Sequence, residues 1–311
     1  MHNISITCFA ASYLVVLVLE LTRVFFKAKL RSILRISFTV AGLFAHTAYL
    51  VYQGQLEIGD RGIWLSHWMA WFFTASWLMA LAYLWISVRK PESLVGLFLL
   101  PMVLVLILAG IGLADQPAFT VRQAKTGWNM VHGLSLLLAT ASVALGFVFG
   151  LIYLLQARRL KQKVVATRFR LPSLEWLQRC SERSLIVSTL LMGLGLVSGI
   201  AINLVQQSSA EGPAAGTVAW SNPVVWSTAI LLVWLLSISI ISVSYQPARQ
   251  GRKVAYLVVS SFLFLVFELA IVWLAGHASA TPPASPVVPD PVAATELGHE
   301  PDSESPGRAQ R

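Results

Sequence analysis

Residues 184–205 read Ser-Leu-Ile-Val-Ser-Thr-Leu-Leu-Met-Gly-Leu-Gly-Leu-Val-Ser-Gly-Ile-Ala-Ile-Asn-Leu-Val, and they include no Asp, Glu, Lys or Arg. About 20 apolar residues in a helix cross the hydrocarbon core of a bilayer, so this stretch fits a membrane span. Seven more stretches of this kind lie near 4–25, 33–53, 64–87, 93–114, 128–155, 223–245 and 254–276. The sequence therefore predicts an all-α, polytopic integral membrane protein with about eight transmembrane helices.

The composition excludes a soluble domain, because 56% of the residues are apolar and only 12% are charged. The lipid bilayer is therefore the expected surroundings of most of the chain. The net charge of +9 does not indicate a nucleic-acid partner, because Lys and Arg cluster after alternate spans. Basic loops of this kind lie on the cytoplasmic side of a membrane. We therefore predict a multi-pass protein of the inner (cytoplasmic) membrane with both termini extracytoplasmic.

The chain divides into three predicted parts. Residues 1–127 form an N-terminal four-helix membrane half, and residues 128–276 form a second four-helix half. Residues 277–311 are rich in Pro, Ala and acidic residues, which predicts a disordered tail. Between the fifth and sixth spans, the spacing of apolar residues after Ser173 predicts a short amphipathic helix on the inner surface, with Ser173 as its N-cap.

Histidines are the residues of this chain that carry chemistry. Four of the six lie in or beside the spans, in the outer half of the membrane or at its outer face: His46, His67, His132 and His277. Imidazoles gathered at one face point to a metal or haem site. Cys8 and Cys180 lie on opposite sides of the membrane and cannot pair, and no motif of a soluble enzyme is present.

Several segments in the second half of the chain carry a family resemblance, through their sequences and through their order and spacing along the chain. They include Val131-His132-Gly-Leu-Ser-Leu-Leu, Leu171-Pro-Ser-Leu-Glu-Trp-Leu, Leu191-Met-Gly-Leu-Gly-Leu-Val-Ser-Gly and Gly276-His277. Together they resemble the cytochrome c assembly family of CcsA-, CcmC- and HemX-type membrane proteins. The resemblance covers about half of the chain, and the first four spans fit the longer members in outline.

The resemblance implies a haem site at the outer face, with haem b as a transient, substrate-like ligand. His132 and His277 would be the axial ligands of the iron, on either side of a Trp-rich loop. The corresponding loop here is Val218-Ala-Trp220-Ser-Asn222-Pro223-Val-Val-Trp226, which implies Trp220, Asn222, Pro223 and Trp226 as haem-contacting residues. The loop is degenerate, because Asn222 stands where the family has Asp and two valines replace the Lys and Glu that follow.

Each of these residues also has an alternative interpretation. Trp220 and Trp226 form either an aromatic shelf for haem or part of the aromatic belt at the membrane interface. His132 and His277 either present Nε2 to iron while Nδ1 donates to a carbonyl or carboxylate, or they are solvated interfacial residues. His46, deep in the second span, is either a second haem ligand or an interhelical hydrogen-bonding residue. A structural role is the expectation for His67.

Charged residues add three expectations. A carboxylate inside a span must be paired or protonated, so Glu268 is expected to orient His46 or to accept a hydrogen bond from Asn203. Glu20 and Arg23 are expected to form a local pair at the inner interface. The possible partners for haem propionates on the outer side are Arg61, Arg122 and Lys125.

The sequence leaves three functional classes open. The first is a protein that binds haem and presents it to apocytochrome c together with a partner cytochrome c assembly membrane protein; it would bind and deliver rather than catalyse. The second is a HemX-like regulatory membrane protein of haem biosynthesis. The third is an assembly scaffold that does not bind haem, as the degenerate loop would allow.

Overall fold

The computed structural model describes residues 2–23, 29–60, 67–114, 127–162, 172–208, 222–244 and 251–280. A helix lies at each of the eight predicted positions, which confirms the all-α fold. The helices are α1 His2–Arg23, α2 Lys29–Asp60, α3 Trp68–Arg89, α4 Gly96–Gly112, α5 Gly127–Lys161, α6 Leu174–Ser208, α7 Pro223–Ser244 and α8 Gly251–Ala280.

Within the ranges that the structure describes, six helices are long and apolar enough to cross a membrane: α2, α3, α5, α6, α7 and α8. The apolar parts of α1 and α4, Ile6–Thr22 and Gly96–Gly112, are somewhat shorter. Between its two ends, a helix pairs its backbone N–H and C=O groups within itself, which allows it to cross a lipid bilayer. The protein is therefore a multi-pass membrane protein.

The helices pack mainly against their neighbours in the chain. Helix α1 lies against α2 and α4, α3 contacts α2, α4 and α5, and α5 packs on α6 and α8, while α7 lies at the edge against α6 and α8. We call the end of the bundle at which α1 ends and α2 begins the inner end, and the opposite end the outer end. The larger hydrophobic core contains side chains from both predicted halves of the chain, before and after residue 127. Its members run along the sequence from Phe9 to Ala255.

The beginning of α6 differs from the prediction. Ser173 Oγ accepts a hydrogen bond from the Trp176 backbone N–H at 3.4 Å, as expected for an N-cap. The helix, however, runs unbroken from Leu174 to Ser208, so the prediction of a separate helix on the membrane surface is wrong. Leu177 is fully buried, and the Trp176 ring packs edge-on against Phe149 at 5.7 Å between centroids. The apolar face that suggested lipid contact is covered by protein.

A buried ion pair joins the helices near the inner end. Glu20 Oε1 accepts hydrogen bonds from Arg35 Nη1 and from the Tyr83 hydroxyl, both at 2.8 Å. Arg35 Nη2 also donates to the carbonyl of Pro91 at 3.3 Å. The Glu20 carboxylate lies in the interior, where Arg35 of α2 is an ion-pair partner. The side chain of Arg23, the partner that the sequence predicts, lies outside the described residues, so that pairing stays a prediction.

Gly96, at the start of α4, allows this cluster to close. A Cβ atom at Gly96 would lie 2.4 Å from Cε2 of Tyr83 and 2.9 Å from Oε1 of Glu20. Neither distance can accommodate a methyl group. The ion pair, the phenol and the α4 backbone therefore pack together at the junction of the first four helices.

Candidate functional site

His132 lies near the outer end of α5, five residues after the helix begins at Gly127. Its Nδ1 is 2.7 Å from the carbonyl oxygen of Gly195 on α6. A carbonyl oxygen only accepts, so Nδ1 carries the proton of the neutral ring and Nε2 keeps its lone pair. The carbonyl bond expected for this ring is present, and the half-buried neutral imidazole leaves Nε2 unprotonated, which is the form in which an imidazole nitrogen can bind a metal.

Glycines on α6 bring its backbone close to α5 at this point. A Cβ atom at Gly199 would lie 2.9 Å from Cε1 of His132, and one at Gly195 would lie 2.6 Å from Cδ2 of Leu136. Small residues four positions apart share one face of a helix and allow close approach in membranes. The buried hydroxyl of Ser198 also donates to the Gly195 carbonyl, at 2.8 Å.

The packing of α5 on α8 relates His132 to His277. The rings of Phe147 and Phe262 stack with centroids 4.2 Å apart. His132 lies fifteen residues before Phe147, and His277 lies fifteen residues after Phe262. Because the two helices run in opposite directions, each position is about 22 Å outward from the stacked pair. The α8 backbone thus reaches the level of His132 at His277, whose side chain lies outside the described residues.

The described part of the Trp-rich loop forms the start of α7. Oδ1 of Asn222 accepts a hydrogen bond from the N–H of Val224 at 2.9 Å, and its backbone carbonyl accepts from Val225. Pro223 is the first residue of the helix, a position that suits a residue without an N–H. Asn222 is thus the N-cap of α7, a role that Asn-Pro before an apolar run could have indicated. Trp220 lies outside the described residues.

Trp226 lies on the outer part of α7 and faces away from the bundle. Its side chain is 62% exposed, and Ile230 and Val233 on the same helix face are exposed as well. An indole in this position can meet lipid, a ligand or a partner protein at the interface. Both alternatives for Trp226, a haem shelf and an aromatic belt, are compatible with this orientation.

Glu268 on α8 is buried, and its Oε1 accepts a hydrogen bond from the Thr228 hydroxyl of α7 at 2.5 Å. The expectation that it orients His46 is wrong, because His46 packs among α1, α2 and α3. Asn203, the other expected partner, is also buried. The carboxyl group lies nine residues before His277, and its bond to Thr228 joins α7 to α8 below the outer end.

His46 is fully buried within α2. Its ring stacks on Phe9 with centroids 4.2 Å apart and an interplanar angle of 3°, and Phe73 meets it edge-on. Nδ1 lies 3.3 Å from the Tyr13 hydroxyl, so His46 does form an interhelical hydrogen bond. Nε2 has no hydrogen-bond partner of good geometry within the described residues, although the Phe73 carbonyl is close to the ring. Haem ligation by His46 stays a prediction.

The histidines do not form one cluster within the described residues. His67 directly precedes α3, where its carbonyl accepts hydrogen bonds from the N–H groups of Ala70 and Trp71 and its side chain makes no capping bond. No group of three His, Cys, Asp or Glu side chains able to hold a metal ion occurs in the described part of the chain. The suggested propionate partners lie outside it: Arg61, Arg122 and Lys125.

A family model described as Cytochrome C assembly protein matches residues 64–277, more than half of the chain. The matched range includes α3 to α7 and α8 as far as His277, and it contains His132 and Asn222; His46 precedes it. No curated protein and no solved structure matches the chain.

Proposed function

We infer that this protein, which belongs to the cytochrome c assembly protein family, binds haem b at the outer face of the membrane. Family membership gives the protein a general role in cytochrome c maturation. Our proposal concerns the finer step: haem is held transiently and presented to apocytochrome c, together with a partner assembly protein in the inner membrane. The protein would act by binding and delivery.

The hydrogen bond between His132 and Gly195 is the observation that carries this proposal. Haem iron takes an axial ligand from an unprotonated imidazole nitrogen. Histidines that bind metals almost always donate their other N–H to a carbonyl, a carboxylate or water, which fixes the tautomer and increases the basicity of the ligand. His132 has this arrangement, with Nδ1 2.7 Å from the carbonyl oxygen. The donor chemistry therefore fits haem iron.

His277 is proposed as the second axial ligand, since α8 reaches the level of His132 at this residue. Trp220 and Trp226 are proposed as the aromatic surface against the porphyrin. Asn222 and Pro223 begin the helix from which Trp226 projects. When bound, the haem supplies the iron and its two propionates, and the protein supplies the imidazoles and the apolar surface.

His46 is proposed as a deeper ligand of the same group. Ligation through Nε2 requires Nδ1 to donate its proton to the Tyr13 hydroxyl oxygen 3.3 Å away, and it requires that Nε2 not donate to the Phe73 carbonyl beside the ring. If the tyrosine donates instead, Nε2 carries the proton and cannot bind iron. The orientation of this one hydrogen bond decides between the two roles.

One observation favours the alternative of an assembly scaffold without haem. The Asn222 side chain caps α7 through the N–H of Val224, so the Asn-Pro sequence has a structural role that needs no ligand. The HemX-like regulatory alternative includes haem as a signal rather than as cargo. Bound haem separates the scaffold from the other two, and transfer to apocytochrome c separates delivery from regulation.

The first experiment is an absorption spectrum of the detergent-purified protein, oxidised and reduced with dithionite. We expect a reduced α-band in the wild type and its loss in His132→Ala and in His277→Ala. His67→Ala is the matched control, because it removes an imidazole near the outer end that has no capping bond. A pyridine haemochrome spectrum identifies haem b. A colourless wild type from haem-replete cells, or equal α-bands in all three variants, would overturn the proposal.

A further inference from the structure

We propose that Gly199 and the carbonyl of Gly195 form a seat on α6 that positions the imidazole of His132. We call these two groups the α6 seat. They fix which ring nitrogen faces the ligand and how the ring is turned, so Gly199 is a positioning residue for the histidine. This inference rests on the proposed function for its link to haem, whereas the seat is defined by contacts within the protein.

The first support is steric. A Cβ atom at Gly199 would lie 2.9 Å from Cε1, 3.1 Å from Nδ1 and 3.8 Å from Nε2 of the His132 ring. The edge between Cε1 and Nδ1 therefore lies directly on the α6 backbone, and Nε2 is the most distant of these three atoms. Any side chain at position 199 would have to displace the ring, because a carbon contact under 3.0 Å is not tolerated.

The second support is polar. One turn earlier on α6, the Gly195 carbonyl accepts the Nδ1 proton at 2.7 Å. A ring turned over by 180° would place Cδ2, which is no donor of comparable strength, against this oxygen. Gly199 thus fixes the position of the edge of the His132 ring, and the Gly195 carbonyl fixes the orientation and the tautomer of the ring. Together they direct the Nε2 lone pair away from α6.

Gly193 provides a matched control on the same helix. A Cβ atom there would meet only Cδ1 of Leu232, at 4.0 Å, which is ordinary contact. Gly193→Ala and Gly199→Ala therefore add the same methyl group and the same gain in helix propensity, six residues apart. Only the second methyl meets the ring of His132, so a difference between the two variants measures the seat.

Haem affinity is the first readout. Loss of an outer-shell partner of a metal-binding histidine typically lowers metal affinity about 10–100-fold. We therefore expect Gly199→Ala to weaken haem binding about tenfold or more and to shift the midpoint potential of the remaining haem, while Gly193→Ala stays at the wild-type values. The same potential and affinity in both variants would overturn the proposal.

The second readout does not depend on haem. Diethyl pyrocarbonate modifies the unprotonated nitrogen of histidine, and mass spectrometry of the peptide gives the rate at His132. We expect a several-fold change of this rate in Gly199→Ala and none in Gly193→Ala. A colourless wild type would refute the proposed haem function alone, and the modification rate would still decide whether the seat exists; an unchanged rate overturns it.

A third variant separates positioning from misfolding. His132→Gly removes the ring, so a methyl group at position 199 no longer clashes and the fold is preserved. We expect added imidazole to restore haem binding to His132→Gly and to His132→Gly with Gly193→Ala. It should fail to do so in His132→Gly with Gly199→Ala, because the methyl group then occupies the seat. Equal rescue of both double variants would contradict the proposal.

Discussion

Replacement of Arg35 by Ala tests the inner end of the bundle most severely. Arg35 Nη1 lies 2.8 Å from Glu20 Oε1, and the two side chains are only 4% and 0% exposed. Removal of one partner of a buried ion pair takes this counter-ion away from the remaining charge and costs about 3–5 kcal/mol. The lost hydrogen bond to the Pro91 carbonyl adds about 1 kcal/mol. Because Tyr83 still donates to Glu20, we expect a total loss of about 4 kcal/mol.

The assay is reversible unfolding in mixed micelles of mild detergent and dodecyl sulfate, followed by circular dichroism. The control is Glu175→Ala, because Glu175 and Arg179 form an ion pair of the same chemistry on α6 with side chains 76% and 62% exposed. Exposed pairs contribute about 0.2–1 kcal/mol. If Arg35→Ala were no more destabilising than Glu175→Ala, the Glu20–Arg35 pair would not lie in the low-dielectric interior that the structure describes.

A double variant separates the net contribution of the ion pair to the free energy of unfolding from the penalty of removing only one of its charges. Apolar residues of similar volume in place of both partners of a buried pair are often neutral or stabilising. We expect Glu20→Leu with Arg35→Met to recover most of the stability that Arg35→Ala loses. The Tyr83 hydroxyl loses its acceptor in this variant, which sets the limit of the recovery.

Three further predictions use the same unfolding measurement. Gly96→Ala forces a methyl group against the Tyr83 phenol and the Glu20 carboxylate, at 2.4 and 2.9 Å, and overpacking of this kind costs about 1–3 kcal/mol. Gly112→Ala is the control, because its methyl group meets open space and should change the stability little. Equal losses of stability in the two variants would contradict the packing at Gly96. Asn222→Ala removes the α7 cap at a cost of about 1 kcal/mol and speeds hydrogen exchange in its first turn, while Asn222→Asp retains the cap. Thr228→Val deprives the buried Glu268 carboxyl of its hydrogen bond, which costs about 1–3 kcal/mol; Glu268→Leu in the same background should restore part of it.

The positions of the helices follow from the sequence because the bilayer imposes the strictest rule in protein folding. Backbone polar groups in lipid must find partners within the protein, and a helix provides them within its own segment, so an apolar stretch of about 20 residues predicts a helix. The start of α6 cannot be predicted from this constraint. Leu177 and Trp176 present an apolar face that either lipid or another helix can cover, and periodicity alone does not distinguish the two.

The site was predictable only in part. The resemblance to the family selected His132 and His277, and the chemistry of imidazole indicated that one nitrogen would donate to a carbonyl. That the carbonyl belongs to Gly195, sixty-three residues along the chain, depends on the register between α5 and α6. The partner of Glu268 depends on helix packing in the same way. A carboxylate in a membrane span predicts a polar partner, but the sequence does not identify that partner as Thr228 of α7 rather than His46 of α2.

The unbroken course of α6 has a mechanical consequence. A helix of 35 residues is about 52 Å long, so Trp176 at one end and the Gly195 carbonyl belong to one stiff rod. Lys90, in the connection between α3 and α4, rests with Nζ 4.0 Å from the centre of the Trp176 ring. A shift of this helix along its axis by one residue, about 1.5 Å, would therefore move the Trp176 ring and the Gly195 carbonyl by the same distance. The contact of Lys90 with Trp176 at the inner end and the hydrogen bond of His132 near the outer end are therefore mechanically linked through one helix.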